Sequence, residues 1–204
     1  MNITVFGSTG RTGRHILAEA PGRGHRVTAF TRRPGNLAGI PDAARVVHGD
    51  GRDAVAVAEA VAGADAVIAI VAAETRKGPH HTAAVTRMIT NAMAQAGVRR
   101  FVTTSAYPIV ADKPRIPMAV LRWALADAYA DQAEMERVVT ACDLDWTIAR
   151  LNRLLDRPAA GRVLISRDLL DRPRPLSRAD AAVTLLDLAG SDTYAKAAVN
   201  VGGA

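Results

Sequence analysis

The stretch FGSTGRTGRH begins at Phe6, directly behind the β-branched opening NITV, and places glycines at 7, 10 and 13. A glycine that only ends a strand needs no companions at a spacing of three. Three of them between a strand and a helical segment bring backbone close to something bulky and negative. The first amides of a helix have no intrahelical partner, and the aligned peptide dipoles leave partial positive charge beside them. Missing Cβ atoms let a pyrophosphate and the neighbouring strand approach, as in the phosphate-binding turn of a βαβ unit. The spacing is G-x-x-G-x-x-G rather than G-x-G-x-x-G, so the position behind a first strand carries the reading more than the triplet itself.

The rest of the chain repeats that strand-then-helix alternation. Residues 2–6 read as the first strand, and RHILAEA (14–20) as a helix with Ile16, Leu17 and Ala20 at helical spacing, closed by PGRG. Strands follow at 25–30 and 44–50, separated by the turn-rich TRRPGNLAGIPD. A helix at 54–64, a strand at 65–72, a helix at 81–97 with Gly97 as its cap and a strand at 99–106 continue the pattern. A long helix covers much of 117–142, and a sixth strand runs over 145–150. Beyond it, GRVLIS (161–166) and AAVNVG (197–202) read as strands around a helix at 177–190 with Ser177 as N-cap. The expected fold is α/β, a Rossmann-type doubly wound parallel sheet with helices on both faces. Residues 1–204 form one NAD(P)-binding domain, with about 151–204 as a small substrate-side elaboration.

Composition agrees. Aromatic residues make up only 4% of a chain that is 49% hydrophobic, so the core is built of Ala, Val, Leu and Ile, which suits buried parallel strands. The formal charge of +6 invites a nucleic-acid reading. The arginines are spread from Arg11 to Arg178 rather than gathered in a run, and few aromatics are available to stack on bases, so nucleic acid is disfavoured. Cys142 is the only cysteine, which excludes an intramolecular disulfide and a cysteine-based zinc cluster. The opening residues read as a strand rather than a leader, and no apolar run reaches membrane length, so a soluble cytoplasmic chain away from membranes is expected.

The end of the second strand chooses the dinucleotide. An NAD site places a carboxylate there for the ribose hydroxyls. This chain has Thr31, Arg32 and Arg33 instead, and guanidinium groups suit a 2′-phosphate through short, charge-assisted bonds. Arg11, inside the glycine turn, lies in reach of the same phosphate. The expected cofactor is NADP(H). Asp50, at the end of the third strand in HGD, either accepts from the adenine amino group or caps the following helix.

These residues resemble the atypical short-chain dehydrogenase/reductase superfamily, and within it the NAD(P)H-binding group of NmrA-like proteins and biliverdin reductase B-like flavin reductases. The segments carrying the resemblance are GSTGRTG, GHRVTAFTRRP, HGDGRD, GADAVIAIV, AGVRRFVTTSA, LDWTIAR and ISR…LSRADAAVTLLDL. The resemblance implies that Gly7, Thr9, Gly10, Arg11, Thr12 and Gly13 wrap the pyrophosphate and that Arg32 and Arg33 meet the 2′-phosphate. It further implies that Asp50 lies beside adenine, Val71 and Ala72 on the adenosine side, Ser105 next to the nicotinamide, and Arg150 and Asn152 at its other edge.

The departures are equally informative. Standard dehydrogenases of this superfamily use Tyr-x-x-x-Lys, in which the lysine lowers the tyrosine pKa for proton transfer. Four residues after Tyr129 stands Ala133, preceded by Gln132, and four after Tyr107 stands Ala111. Ser105 is therefore the one candidate catalytic residue, placed to bond the carboxamide or a substrate carbonyl. The His80–His81 pair lacks a metal-ligand pattern, so no metal is expected. Trp123, Tyr129 and Met135 read as packing residues of the long helix, and Cys142 as a small core residue. The expected function is an NADPH-dependent oxidoreductase passing hydride to a small-molecule acceptor, a flavin (FMN or FAD), a quinone or a similar conjugated compound. The alternative is a non-catalytic NADP(H)-binding redox sensor of NmrA type.

Overall fold

A computed structural model describes residues 1–33, 35, 44–71, 81–111 and 123–204. The elements are β1 (Asn2–Phe6), α1 (Arg11–Glu19), β2 (Arg26–Thr31), β3 (Ala44–His48), α2 (Ala54–Val61), β4 (Ala66–Ala69), α3 (Thr82–Ala96), β5 (Arg100–Ala106), α4 (Ala126–Ala141), β6 (Asp145–Leu151), β7 (Leu154–Leu155), β8 (Val163–Ser166), β9 (Leu176–Ser177), α5 (Arg178–Ala189) and β10 (Ala197–Gly203). Eight strands join in the order β3-β2-β1-β4-β5-β6-β10-β8, and β7 pairs with β9 in a separate ribbon. Every pairing from β3 through to β10 is parallel; only β8 runs antiparallel, against β10. The order reverses at β1, so the C-terminal ends of β1 and β4 open the crevice where such sheets bind ligands.

Strand alternation sorts the core into two layers. Ile3 and Val5 of β1 point to one face, where Ile16 and Leu17 of α1 and Ala182, Leu185 and Ala189 of α5 cover them. Phe6 points to the other, against Val57 and Val61 of α2, Ile89 and Met93 of α3, and Met135 and Val139 of α4. Each fully buried side chain of this size contributes roughly 1.5–3 kcal/mol, and helices are thus needed on both faces.

Boundaries shift where local rules compete. The first helix starts at Arg11 rather than 14, because Gly10 is already extended (φ −69°, ψ 164°) and serves as its N-cap. The strand expected over 65–72 closes at Ala69, where its pairing with β1 and β5 ends. The third strand stops at His48, its last residue paired with β2, so Asp50 stands beyond it. The long helix is described as Ala126–Ala141, with Trp123 and Ala124 also helical ahead of it; Trp123, expected to pack, is exposed, and residues 112–122 lie outside the described residues. Gly97 caps α3 as its spacing predicts. The strand expected at 161–166 is β8, and it runs antiparallel in a sheet expected to be parallel, because a short apolar run carries no mark of direction.

The first turn after β1 is sterically fixed. Gly7 has φ +79°, and a Cβ on it would stand 2.2 Å from the Ile70 carbonyl oxygen behind β4. A Cβ on Gly13 would meet the Gly7 carbonyl oxygen at 2.3 Å, so α1 can start this close to β1 only with glycine there. At the far end, the Ser177 side chain caps α5 by accepting from the Asp180 amide, and the Asp180 carboxylate accepts from the Ala160 and Gly161 amides, both at 2.9 Å. Buried Arg100 of β5 donates to the Leu188 carbonyl near the end of α5 and to the Asp145 carbonyl (2.6 Å), tying that helix to β5 and β6.

Gly7→Ala is expected to destabilise the chain by at least about 2 kcal/mol, a left-handed backbone cost of ~1–2 kcal/mol plus overpacking. Gly24, at φ +74° with nothing within 4 Å, supplies the control that carries only the backbone cost. Urea midpoints at constant m-value compare the two, and equal losses would refute the clash. Burial pushes the Asp180 carboxyl up, but bonds from Ala160, Ser177 and Gly161 outweigh it and hold the group below the ordinary carboxylate range. Its contribution is therefore fully present above the unfolded value of about 3.9 and is lost as pH falls through the folded one. Asp180→Asn should lower stability by about 1–3 kcal/mol at neutral pH, a gap that closes as wild-type melts are followed down into acid.

Candidate dinucleotide site

The glycine turn lies at the β1–β4 switch point, with Gly7 against Ile70. The Gly10 amide donates to the Gly7 carbonyl at 3.0 Å, closing the turn. Ser8, fully buried, donates its hydroxyl to the Phe30 carbonyl at 2.7 Å and stitches the turn to β2. No side chain caps α1, and its first turn carries no acidic residue. The helix start therefore keeps its amides and dipole for an anion. The three glycines divide their work: Gly7 and Gly13 fit against backbone, whereas Gly10 is exposed and faces only the Gly7 carbonyl oxygen. Thr9 is half-buried and its carbonyl accepts from Arg14 Nε at 3.2 Å; Thr12 is buried. Arg11 is exposed, and its Nη1 donates to Asp156 Oδ2 at 3.0 Å.

At the end of β2, Thr31 is buried and its hydroxyl oxygen accepts from the Arg33 amide at 3.0 Å. Arg32 and Arg33 are exposed, and the Arg32 carbonyl lies 3.1 Å from His48 Nε2. Asp50 is engaged by its neighbour: Arg52 donates its amide (2.9 Å), Nε (3.0 Å) and Nη2 (3.0 Å) to the carboxylate. The Arg52 side-chain bonds, then its amide, pull the Asp50 carboxyl down to about 2, with the Arg32 charge adding to the effect. The helix cap here is Asp53, whose carboxylate accepts from the Val55 and Ala56 amides. Val71 is half-buried behind β4; Ala72 lies outside the described residues, as does His80.

Across the crevice, Ser105 and Arg150 are register partners at the ends of β5 and β6. Helix α4 reaches over both with two side chains one turn apart. Gln132 Oε1 accepts from the Ala106 amide at 2.9 Å and from the Ser105 hydroxyl at 3.4 Å. Glu136 accepts from Arg150 Nη2 and Nε at 2.6 and 3.0 Å, both side chains largely shielded. Arg150 thus spends its guanidinium on α4. Asn152 donates its amide to the carbonyls of Pro173 and Arg174, both at 3.0 Å, and pins the segment behind β8. Buried Tyr107 donates to the Leu170 carbonyl of the same segment at 3.3 Å. His81 is exposed at the start of α3, whose amides Asp131 caps instead. Lys196 pairs with Asp143 ahead of β6, at the opposite end of the sheet from Ser105. No group of three metal-ligating side chains occurs among the described residues, and none of their helices is long and apolar enough to cross a membrane.

The sequence reading assigns no site role to Ser8, Arg52, Gln132, Glu136, Asp156 or Arg178. Gln132 enters it only as a residue that supplies no cation; its i, i+4 spacing to Glu136 is the available signal that one face of α4 turns polar groups toward the sheet.

The profile of the NAD(P)H-binding family matches residues 7–192. An uncharacterized protein of Mycobacterium tuberculosis is 30% identical over 158 residues, 77% of this chain but 15% of that protein, so the chain spans a small part of that relative's length. Among solved structures, an anaerobilin reductase of Escherichia coli O157:H7 superposes with a TM-score of 0.81 at 20% identity, covering 100% of this chain and 97% of that one. A wide-type short-chain dehydrogenase/reductase of Veillonella parvula in complex with NADP gives 0.78 at 18% identity, covering 98% and 94%. With its strand order, its glycine turn and a match over nearly its whole length, this chain belongs to the NAD(P)H-binding family.

Proposed function

We propose that the chain is an NADP(H)-dependent oxidoreductase that passes hydride to a conjugated small-molecule acceptor such as a flavin or quinone. The observation that carries the reading is the side-chain-free start of α1 at the switch point, next to two exposed arginines where an NAD site keeps a carboxylate. The residues fit the group. The α1 amides and Gly10 suit the diphosphate, Arg32 and Arg33 the 2′-phosphate, and Val71 and Asp50 the adenosine side, with Ala72 next in the chain. Of two structures with this fold, one is described as an anaerobilin reductase and one holds NADP, which supports the reductase reading and the phosphorylated cofactor.

When bound, NADPH supplies a hydride from C4 of its nicotinamide, and the acceptor takes its proton from water. The protein's part is placement. Gln132 holds the end of β5 through the Ala106 amide and orients the Ser105 hydroxyl, which then has lone pairs for the carboxamide N–H. The Glu136–Arg150 pair fixes the end of β6, and Asn152 fixes the wall beyond it. Neither Tyr107 nor Tyr129 is followed by a lysine four residues on, so the reading requires an acceptor whose reduced anion is stable enough to wait for solvent. The missing lysine also favours a second reading, in which the chain senses the redox state of the dinucleotide without turnover.

Purified protein is expected to oxidise NADPH in the presence of FMN, FAD or simple quinones above the uncatalysed rate. Failure across the panel, with calorimetric affinities for NADP⁺ and NADPH differing tenfold or more, would replace the reductase by the sensor. Replacing Arg32 and Arg33 together by Ala should weaken NADP⁺ binding by at least tenfold, since each charge-assisted bond is worth about 1.5–3 kcal/mol. NAD⁺ affinity should stay within a factor of about two, the spread expected when no removed bond touches the ligand. Equal losses for both dinucleotides would remove the arginines from the 2′-phosphate.

A further inference from the structure

Arg11, at the first helical position of α1, does not stand alone beside the glycine turn. Its Nη1 donates to Asp156 Oδ2 at 3.0 Å, while Arg178 Nη1, at the first position of α5, donates to Asp156 Oδ1 at 2.8 Å. One carboxylate therefore holds two guanidinium groups together at the mouth of the anion site. The two arginines differ in freedom: the side chain of Arg178 is 11% exposed and that of Arg11 72%. The segment that carries Asp156 is anchored to α5 and to the chain just ahead of β9. Arg157 donates to the Pro175 carbonyl at 2.7 Å, and Asp180 takes the amides of Ala160 and Gly161. Asp156 is thus fixed by α5, and Arg11 is the partner able to swing.

We infer that Asp156 competes with the diphosphate of the dinucleotide for Arg11, and so sets the affinity of the glycine turn from the opposite side of the crevice. The chemistry is an exchange of one oxyanion for another. A diphosphate at the amides of α1 draws Arg11 to itself, because it carries more charge than a carboxylate and accepts short, charge-assisted bonds. Asp156 keeps Arg178, so its segment holds its place when Arg11 leaves. A negative charge paired with Arg11 at the start of α1 would also oppose a diphosphate held there. Both effects act on the diphosphate, which NAD(H) and NADP(H) share; the competition assigns Arg11 to that group and not to the 2′-phosphate, which its place in the glycine turn also put within reach. Asp156 is accordingly an affinity-setting residue that does not choose between the two cofactors.

This inference rests on the dinucleotide reading above, and calorimetry on the full chain separates the two. Asp156→Asn keeps an oxygen for Arg178 and is expected to tighten NADP⁺ and NAD⁺ alike by about two- to fivefold at low salt, the scale of an exposed ion pair. The gain should shrink as salt is raised. Adenosine 2′-monophosphate, which has no diphosphate, should bind the variant as it binds wild type. In an Arg11→Gln background, Asp156→Asn should add clearly less, which a merely structural role for Asp156 would not produce. Asp156→Ser serves as the second variant, with thermal melts to establish that each folds. Unchanged or weaker dinucleotide binding in both folded variants overturns the competition alone, as does an undiminished gain without Arg11. No binding of either dinucleotide to wild type overturns the cofactor reading and the competition with it.

Discussion

The approach of Gly7 to the Ile70 carbonyl is the contact on which the rest of the site depends. It joins the two strands on either side of the switch point at their C-terminal ends and turns the chain so that α1 begins against the crevice. Gly13 then lets the same helix lie on its own turn, and Ser8 ties that turn to β2. With these three constraints met, the helix start cannot be aimed elsewhere. Its amides are left without a side-chain cap, which is tolerable only where water or an anion can serve them.

The far side of the crevice is organised by hydrogen bonds that hold loops and helix faces rather than by free reactive groups. Gln132 and Glu136 lock α4 onto the ends of β5 and β6; Asn152 and Tyr107 gather the carbonyls of the 170–174 segment. Helix α5 does the same for the segment behind β7 through Asp180. Positively charged residues near the site mostly carry an internal carboxylate partner, Arg52 with Asp50, Arg11 and Arg178 with Asp156, Arg150 with Glu136. An anion that meets one of these guanidinium groups must therefore compete with a carboxylate.

Much of this was legible from the chain in order. The glycine triplet, the alternation of apolar strands with amphipathic helices and the Ser177 cap each follow from rules that act over a few residues, and the structure shows each of them, with several element ends shifted. Arg32 and Arg33 were legible as a pair because two cations standing where a carboxylate is customary need no partner to be noticed. Asp50 was harder. Its position after β3 was readable, but its carboxylate is bound by Arg52, only two residues on, and the capping work falls to Asp53. Arg150 reads in sequence as a group for the cofactor, whereas its guanidinium is turned onto a helix fourteen residues earlier.

What the sequence by itself determined is the backbone: where strands and helices form, which face of each is apolar, and which turn admits only glycine. Those follow from sterics and periodicity, whose energies are local and add up along an element. Only the tertiary structure decided which charges meet. Arg11 and Asp156 lie 145 residues apart and touch because the start of α1 and the segment after β7 converge over one crevice. An ion pair of that exposed kind is worth about 1 kcal/mol or less, too little to impose a pattern on the chain, and its geometry exists only once the far larger burial of the two core layers has brought those segments together.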